Sequence, residues 1–310
     1  CDVDADAVFQ NLTARSIYEV PVLLEKQGLD EVVLRKLDVD ATNHPLDMAE
    51  WHDMVERMLK DYDRKVTLGV VGKYVELQDS YISLTEALRH AAMANEANLD
   101  IKWINAELVE EGEIDLEAEL KDVDCILVPG GFGSKGLEGK ISAIKYAREN
   151  KVPFFGICLG MQCAVVEYAR HIGMTGANTT EANAETAYPV IDILPDQQDV
   201  EEKGSMRLGL YPCKVAAGSL TEKAYGEALI YERHRNRYEV NNAYREELEK
   251  NGLVIAGALP NGRLVEIVEL PTDVHPWFMG VQFHPELKSR PTNPHPLFRD
   301  FIAAALKEQK

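Results

Sequence analysis

The sequence predicts an α/β fold with helices on both faces of a mostly parallel sheet, plus a smaller antiparallel portion near the carboxyl end. From residue 65 onward, short β-rich runs alternate with helix-like stretches, as in parallel sheets whose connections are helical. The last strands instead follow one another with little helix between them, which favours antiparallel pairing. With 310 residues, 45% of them apolar, the chain suffices for one large domain and a smaller piece.

The elements of the parallel part follow from hydrophobic periodicity. Continuous apolar runs bounded by turn residues predict strands, and apolar residues at helical spacing predict helices. In chain order the elements are a strand in KVTLGVVGKY, a helix in SYISLTEALRHAAMANE, strands in IKWINA and DCILVPGG, a helix in GKISAIKYAREN and a strand in VPFFGI. The acidic run from Glu107 to Asp124 predicts a solvated helix face with leucines at Leu108, Leu116 and Leu120.

The antiparallel part begins after a long polar loop near residues 176 to 205. Its predicted strands lie in RLGLYPCKVAA, GLVIAGALP, RLVEIVEL and WFMGVQFH. Residues 65–310 are thus the predicted main domain.

Two further segments precede the main domain. Residues 1–40 have too few apolar residues for a core of their own, so we interpret them as the end of another domain. Residues 41–64 are interpreted as a linker. In this linker the chain is interrupted at Asn43, His44 and Pro45, and one amphipathic helix is predicted from Leu46, Trp51, Met54, Val55 and Met58.

Charge and cysteine content restrict the class of partner. A formal net charge of −19 repels phosphate backbones and anionic lipid, so we expect no nucleic-acid polymer and no membrane as partner. Five cysteines without metal or disulfide spacing suit a reducing cytoplasm and no bound metal. No apolar run approaches the roughly 18 residues of a membrane span, and no signal peptide opens the chain. Because residue 1 is not methionine, we expect a fragment of a longer polypeptide.

The stretch FFGICLGMQ places Cys158 between two glycines, directly after a predicted strand and before a helix. A lone cysteine in an apolar segment is most often a small core residue. Here Gly156 and Gly160 give the form Gly-x-nucleophile-x-Gly, which is typical of a nucleophile elbow. Such a turn sets the sulfur at a helix N-terminus, where the dipole favours the thiolate. We therefore predict that Cys158 is a nucleophile and that Cys163, inside the helix, is a core residue.

The stretch VQFHPE supplies a base and a group to orient it. In an extended strand end, His284 and Glu286 point to the same side, and Pro285 fixes the backbone between them. Glu286 can then hold one imidazole nitrogen and leave the other for Cys158. A chance surface His-x-Glu is the alternative, but its place at a strand end beside the elbow favours a triad.

The stretch VPGGFGSKG matches G-x-G-x-x-G between a strand and a helix, as a dinucleotide site would. No acidic residue closes the next strand, and Leu137 follows Gly136 where a phosphate-binding loop needs lysine. Backbone amides at this strand tip can instead donate to the oxyanion of an acyl-transfer intermediate. We expect the amides of Gly131 and Leu159 to form this oxyanion hole.

Four motifs in this order and spacing, PGGFG, GICLGMQ, RHRNRYEVN and QFHPE, resemble the glutaminase domain of the CTP synthase family, which are triad-type glutamine amidotransferases with a flavodoxin-like fold. The similarity runs from about residue 65 to the end. SIYEVP and LLEKQGLD resemble the tail of that family's synthetase, or amidoligase, domain. RHRNRYEVN and SIYEVP distinguish this family from other amidotransferases.

The resemblance implies a glutamine site and roles for its residues. Cys158 would attack the side-chain amide of L-glutamine, His284 would move the proton, and Glu286 would orient His284. Glutamine would be bound by Gly131, Leu159, Gly160, Met161, Gln162, Glu181 and Arg237. An amino acid needs an anion to bind its ammonium group, which Glu181 could supply, and a guanidinium to bind its carboxylate through two hydrogen bonds, which Arg237 could supply. A solvated basic patch is the alternative for Arg233, Arg235 and Arg237.

Effector contacts are also implied by the resemblance. The candidate segment for GTP consists of Phe132, Lys135, Gly136 and Glu138, and Ala14 is a candidate contact of ATP. Lys135 stands where family members usually carry arginine, so GTP activation is expected to be weaker here.

The resemblance implies that glutamine hydrolysis needs no cofactor. The ammonia would travel to a synthetase domain that uses ATP and Mg²⁺ to phosphorylate UTP and aminate it to CTP, in a homotetramer activated by GTP and inhibited by CTP. Most of that domain lies outside this chain. Two other functions stay open: an amidase or cysteine hydrolase with another substrate, and a structural, filament-forming role with an idle site.

Overall fold

The computed structural model describes residues 2–40, 46–193 and 206–309. Its contacts divide the chain into two compact units, Cys1–Tyr62 and Asp63–Lys310. Among the described residues, no helix has the length and apolar character needed to cross a membrane.

The first unit is helical. A helix, Ala49–Leu59, is present where the amphipathic helix was predicted: Met54 and Val55 are buried, and the Trp51 Nε1 donates to the carbonyl of Tyr18 at 2.9 Å. Leu46, which the prediction included, lies before this helix and is exposed. The predicted chain break at residues 43–45 lies outside the described residues. The helices of this unit are α1 (Val20–Glu25), α2 (Leu29–Lys36) and α3 (Ala49–Leu59).

The second unit is built on a nine-stranded sheet and a three-stranded sheet. Its strands are β1 (Arg64–Gly72), β2 (Ala97–Asn105), β3 (Cys125–Val128), β4 (Phe154–Ile157), β5 (Asn178–Thr179), β6 (Pro189–Ile193), β7 (Arg207–Val215), β8 (Leu229–Asn236), β9 (Tyr238–Val240), β10 (Val254–Ala258), β11 (Val265–Glu269) and β12 (Phe278–Val281).

The large sheet changes from parallel to antiparallel pairing along its width. Its order is β2-β1-β3-β4-β12-β11-β10-β7-β8, and the small sheet has the order β5-β6-β9. The pairs from β2 to β12 are parallel, and those from β12 to β8 are antiparallel. The predicted α/β fold with a parallel and a smaller antiparallel portion is therefore confirmed.

Helices cover both faces of the large sheet. One face packs against α7 and α8, and the other packs against α4 and α11. The apolar residues of β1, β3, β4 and β12 are almost fully buried, as expected for a parallel sheet covered on both sides, whereas Leu208 and Leu210 of β7 are exposed. The helices of this unit are α4 (Ile82–Ala94), α5 (Ala106–Glu110), α6 (Leu116–Leu120), α7 (Leu137–Asn150), α8 (Leu159–His171), α9 (Leu220–Tyr225), α10 (Asn242–Lys250) and α11 (Pro296–Glu308).

The acidic run from 107 to 124 differs from the prediction. It forms two short helices, α5 and α6, instead of one helix face. Gly112 has φ +75°, a left-handed conformation that ends the first helix, and the side chain of Asp115 accepts backbone N–H groups to begin the second.

The polar loop near residues 176 to 205 and the last strands also differ from the elements predicted from the sequence. β5 and β6 lie within that loop, whose residues 194–205 are outside the described chain. Helices α9 and α10 lie between the late strands, and β8 was not predicted. β12 pairs parallel with β4 and antiparallel with β11, so it belongs to both parts of the sheet.

Candidate active site

Cys158 lies in a sharp turn between β4 and α8. Its φ of 52° and ψ of −105° are rare for a residue with a side chain. A Cβ on Gly160 would lie 2.1 Å from the Val128 carbonyl oxygen, and one on Gly156 would lie 2.7 Å from the Gly160 carbonyl. The Cys158 N–H donates to the carbonyl of Val281 at 2.7 Å. The turn therefore has the shape predicted for a nucleophile elbow, and close backbone approach requires both glycines.

His284 and Glu286 meet, although through a different backbone than expected. β12 ends at Val281, and residues 285–287 form a turn of 3-10 helix, so the predicted extended strand end is wrong. The turn nonetheless brings the side chains together, and His284 Nδ1 donates to Glu286 Oε1 at 2.7 Å. Pro285 suits the first position of such a turn because its φ is already fixed.

The second ring nitrogen of His284 faces the elbow. Nε2 is buried and forms no hydrogen bond within the described residues. A Cβ on Gly130 would lie 2.8 Å from His284 Cε1 and 3.5 Å from Cys158 Cβ, so the imidazole and the cysteine flank this glycine. Burial by itself lowers the pKa of His284, but the neighbouring Cys158 and the hydrogen bond with Glu286 outweigh it and raise the pKa to about 10. The imidazole is thus close to Cys158, but its Nε2 and the sulfur do not form a hydrogen bond of good geometry.

A pH-dependent stability difference is expected on replacing Glu286 with glutamine. The folded-state pKa of His284, about 10, lies above the ordinary value of 6.5, so the protonated ring stabilises the fold fully below pH 6.5 and loses this contribution as the pH rises through 10. Glu286→Gln removes the negative partner and is expected to lower that pKa. In urea denaturation, the stability gap between wild type and variant should be largest below pH 6.5 and shrink towards pH 10. A gap that grows with pH would contradict the assignment.

A cavity of about 270 Å³ opens beside Cys158. It is lined by Cys158, His284 and Glu286 and by Gly130 and Gly131 of the turn that follows β3. The remaining wall includes Ser80, Tyr81, Ser83, Phe132, Ile157 and Arg235. The Arg235 guanidinium lies 5.5 Å from the centre of the Phe132 ring. The cavity therefore combines one cation, several hydroxyl groups and a thiol.

The predicted glutamine-binding residues occupy different places. Gly131 lines the cavity. Gln162 is buried behind the elbow, and its Nε2 donates to the carbonyl of Tyr238 at 2.9 Å. Glu181 Oε1 accepts the backbone N–H of Gly133 at 2.9 Å. Of the predicted glutamine-binding residues, Gly131 alone lines this cavity. The lining does not include Leu159, Gly160, Met161, Gln162, Glu181 or Arg237, and Gly160 is part of α8.

The predicted effector residues are mostly on the turn before α7. Lys135 is exposed, and Phe132 is 47% exposed. Gly136 has φ +70° at the start of α7. The two terminal guanidinium nitrogens of Arg170 donate to the carboxylate of Glu138 at 2.7 and 2.9 Å. Ala14 is half-buried in the first unit.

Sequence reasoning missed Gly130, Arg235 and Gln282. Gly130 is the first glycine of PGGFG, and its missing side chain leaves room for His284. Arg235 lies on β8, where alternate residues face outward, so recognising that strand would have separated Arg235 from its buried neighbours. Cys163 is buried as predicted, and burial raises its pKa to about 12. No group of three His, Cys, Asp or Glu side chains suited to a metal occurs in the described ranges.

Comparison with known proteins adds a family to this geometry. The family described as Glutamine amidotransferase class-I matches residues 76–304. The CTP synthase of Clostridium kluyveri is 55% identical over 311 residues, which are 100% of this chain and 57% of that protein. The CTP synthase of Pelotomaculum thermopropionicum is 56% identical over 309 residues, 99% of this chain and 56% of that protein. The chain thus spans little more than half the length of these relatives.

A solved structure is similar to most of this chain. It is the Trypanosoma brucei CTPS glutaminase domain with bound acivicin. The TM-score is 0.72 at 38% sequence identity, and the match covers 79% of this chain and 95% of that one.

Proposed function

This chain belongs to the class-I glutamine amidotransferases, and we propose that it is the glutaminase part of a CTP synthase, in which Cys158, His284 and Glu286 hydrolyse L-glutamine. The observation that carries the proposal is the strained elbow at Cys158 beside an imidazole whose other nitrogen is held by Glu286 at 2.7 Å. A nucleophile, a base and an orienting carboxylate in this order are the parts that acyl transfer requires.

In the first half of the proposed reaction, the Cys158 sulfur attacks the side-chain amide carbon of glutamine. The negative charge that develops on the amide oxygen needs fixed donors, and the backbone amides of Gly131 and Leu159 are the candidates. The protonated imidazole of His284 gives its Nε2 proton to the leaving nitrogen. Ammonia departs, and a thioester joins the γ-carbonyl carbon to Cys158.

In the second half, water replaces ammonia. Neutral His284 Nε2 takes a proton from the water as its oxygen attacks the thioester carbon. The carbon–sulfur bond breaks, glutamate leaves, and the thiolate and imidazolium are restored. Glu286 keeps Nδ1 protonated throughout, so that Nε2 is the nitrogen that exchanges protons in both halves.

The cavity supports a small polar substrate. Its volume of about 270 Å³ is near the lower end of small-molecule sites, which suits an amino acid. The α-carboxylate needs a forked cation, and Arg237 is the candidate from the family motif, with Arg235 already on the cavity wall. Glu181 is the candidate for the ammonium group.

The proposal extends to a larger protein. Ammonia would pass to a synthetase domain that binds ATP, Mg²⁺ and UTP and forms CTP in a cytoplasmic homotetramer activated by GTP. The relatives named CTP synthase and their greater length support this extension. Residues 1–40 would be the end of that domain, with Ala14 as its candidate ATP contact, and residues 41–64 would be the linker.

The test is release of glutamate and ammonia from L-glutamine by the full chain, with L-asparagine and simple amides as comparison substrates. Acivicin, the ligand named with the trypanosomal domain, should label the Cys158 peptide in mass spectrometry. Equal turnover of unrelated amides would instead favour a general amidase. No turnover together with an unreactive Cys158 would favour a structural role.

Lys135→Arg is expected to strengthen GTP activation in the full-length enzyme. Lys135 is exposed before α7, and arginine there could bind a phosphate through two parallel hydrogen bonds, which lysine lacks. The GTP concentration for half-maximal glutamine-dependent CTP formation should fall. Lys145→Arg, an exposed lysine on α7, is the matched control and should leave it unchanged. An unchanged or higher concentration for Lys135→Arg would mean that this residue does not contact the nucleotide.

A further inference from the structure

Two buried glutamine side chains lie directly behind the nucleophile. Gln282 follows β12 and is fully buried, and its backbone N–H donates to the carbonyl of Glu266 at 2.8 Å. Its side-chain Nε2 lies 3.7 Å from Cys158 Sγ, within reach of an N–H to sulfur hydrogen bond. Its Oε1 accepts from Gln162 Nε2 at 3.1 Å. The two amides thus form a short chain that ends on the sulfur.

The orientation of this chain follows from its far end. A carbonyl oxygen only accepts, so the Gln162 atom that lies 2.9 Å from the Tyr238 carbonyl is the NH₂ group. The same nitrogen contacts Gln282, so the Gln282 atom opposite it is the oxygen. The remaining Gln282 atom, which faces Cys158, is therefore its NH₂ group. If the Gln282 amide were reversed, its NH₂ group would face the NH₂ group of Gln162, and its oxygen would face the thiolate sulfur, so neither pair could form a hydrogen bond.

We propose that Gln282 is a fixed hydrogen-bond donor to the thiolate of Cys158, and that Gln162 is a positioning residue that sets the Gln282 amide. The inference rests on the proposed function, because it concerns the sulfur proposed as nucleophile.

The reaction gives such a donor a distinct purpose. Cys158 is 3% exposed, so water solvates its thiolate poorly, and a buried anion without donors is costly. His284 loses its positive charge when it protonates the leaving ammonia, and it cannot serve the sulfur continuously. A carboxamide keeps its protons at every pH of interest, so Gln282 donates both to the attacking thiolate and to the thiolate that leaves the thioester.

The experiment measures alkylation of Cys158 by iodoacetamide in the full chain over about pH 5 to 10, because only the thiolate reacts. Gln282→Met keeps the side-chain length but has no N–H, and Gln282→Leu removes both polar atoms without introducing a charge. Both are expected to raise the midpoint by about one pH unit, so that alkylation below the midpoint falls about tenfold. Mass spectrometry of the Cys158 peptide separates this thiol from the buried ones.

Glu269→Gln is the matched control, because this carboxylate is equally buried in the large sheet but accepts from Thr221. Its midpoint should equal that of the wild type. The inference is overturned if both Gln282 variants keep the wild-type midpoint while the wild type alkylates readily. A wild-type Cys158 that does not alkylate at all would instead contradict the proposed nucleophile. Should Gln282→Met fail to fold, Gln282→Leu carries the test, because it removes the same N–H donor with a shorter side chain.

Discussion

Replacing Cys158 with alanine is expected to abolish glutamine hydrolysis and to leave the fold intact. Removing the nucleophile of an acyl-transfer site lowers the rate at least about 10⁴-fold, because the covalent intermediate can no longer form. The fold should survive, because the substitution removes one sulfur atom and keeps the hydrogen bond from the backbone N–H of residue 158 to the carbonyl of Val281.

Glutamate release and circular dichroism check this result together. Cys163→Ala is the matched control, since Cys163 lies buried one turn further along α8 and has no proposed part in the reaction. It should retain most of the activity. The full-length Cys158→Ala enzyme should still form CTP from added ammonia. Glutamine hydrolysis that persists in Cys158→Ala would remove the nucleophile assignment.

Gly160→Ala is expected to destabilise the protein by about 3 kcal/mol or more, the upper range for inserting an atom into a packed site. The new Cβ would lie 2.1 Å from the carbonyl oxygen of Val128, and neither backbone can yield without moving α8 away from β3. Because α8 begins at the elbow, the same shift would displace Cys158, so activity should fall in the protein that remains folded.

Gly112→Ala is the comparison variant. Gly112 has a left-handed φ of +75°, unlike Gly160, but no atom lies within 4 Å of a Cβ built there. Its cost should be limited to the left-handed backbone, about 1 to 2 kcal/mol. Urea denaturation of both variants separates steric contact from backbone preference. Equal losses for the two variants would mean that α8 can yield at Gly160.

The parallel part of the fold could be predicted because its strands are continuous apolar runs, such as Phe154–Ile157, and need no information from distant residues. β8 could not. Three of its four buried residues, Glu232, His234 and Asn236, are polar, and they resemble an exposed segment in the sequence alone. Their burial depends on partners elsewhere in the chain, such as Glu266, whose carboxylate lies 2.6 Å from His234 Nε2. Tertiary hydrogen bonds therefore override the local pattern.

The candidate site divides in the same way. The elbow at Cys158 was predictable because its signal lies within five residues, and His284 and Glu286 lie two residues apart. Arg235 and Gln282 were not predictable. Arg235 reaches the cavity through the position of an edge strand, and Gln282 faces the sulfur because of an amide orientation that Tyr238 sets from another strand. The alternation along β8 separates Arg235 from its buried neighbours only once that strand is recognised, and the local sequence does not show which atom Gln282 faces.

The parallel ladder between β4 and β12 has a consequence for how activity appears during folding. It pairs Ile157 with Val281, and the two segments that carry the proposed nucleophile and its amide donor are 124 residues apart in the chain. The elbow, β4 and α8 are local and can form early, whereas this pairing must wait until a long loop has closed. A partly folded chain would therefore contain the elbow with Cys158 before His284, the proposed base, is in place. In refolding, helical circular dichroism should recover before glutamine hydrolysis, and the lag reports the closure of that one ladder.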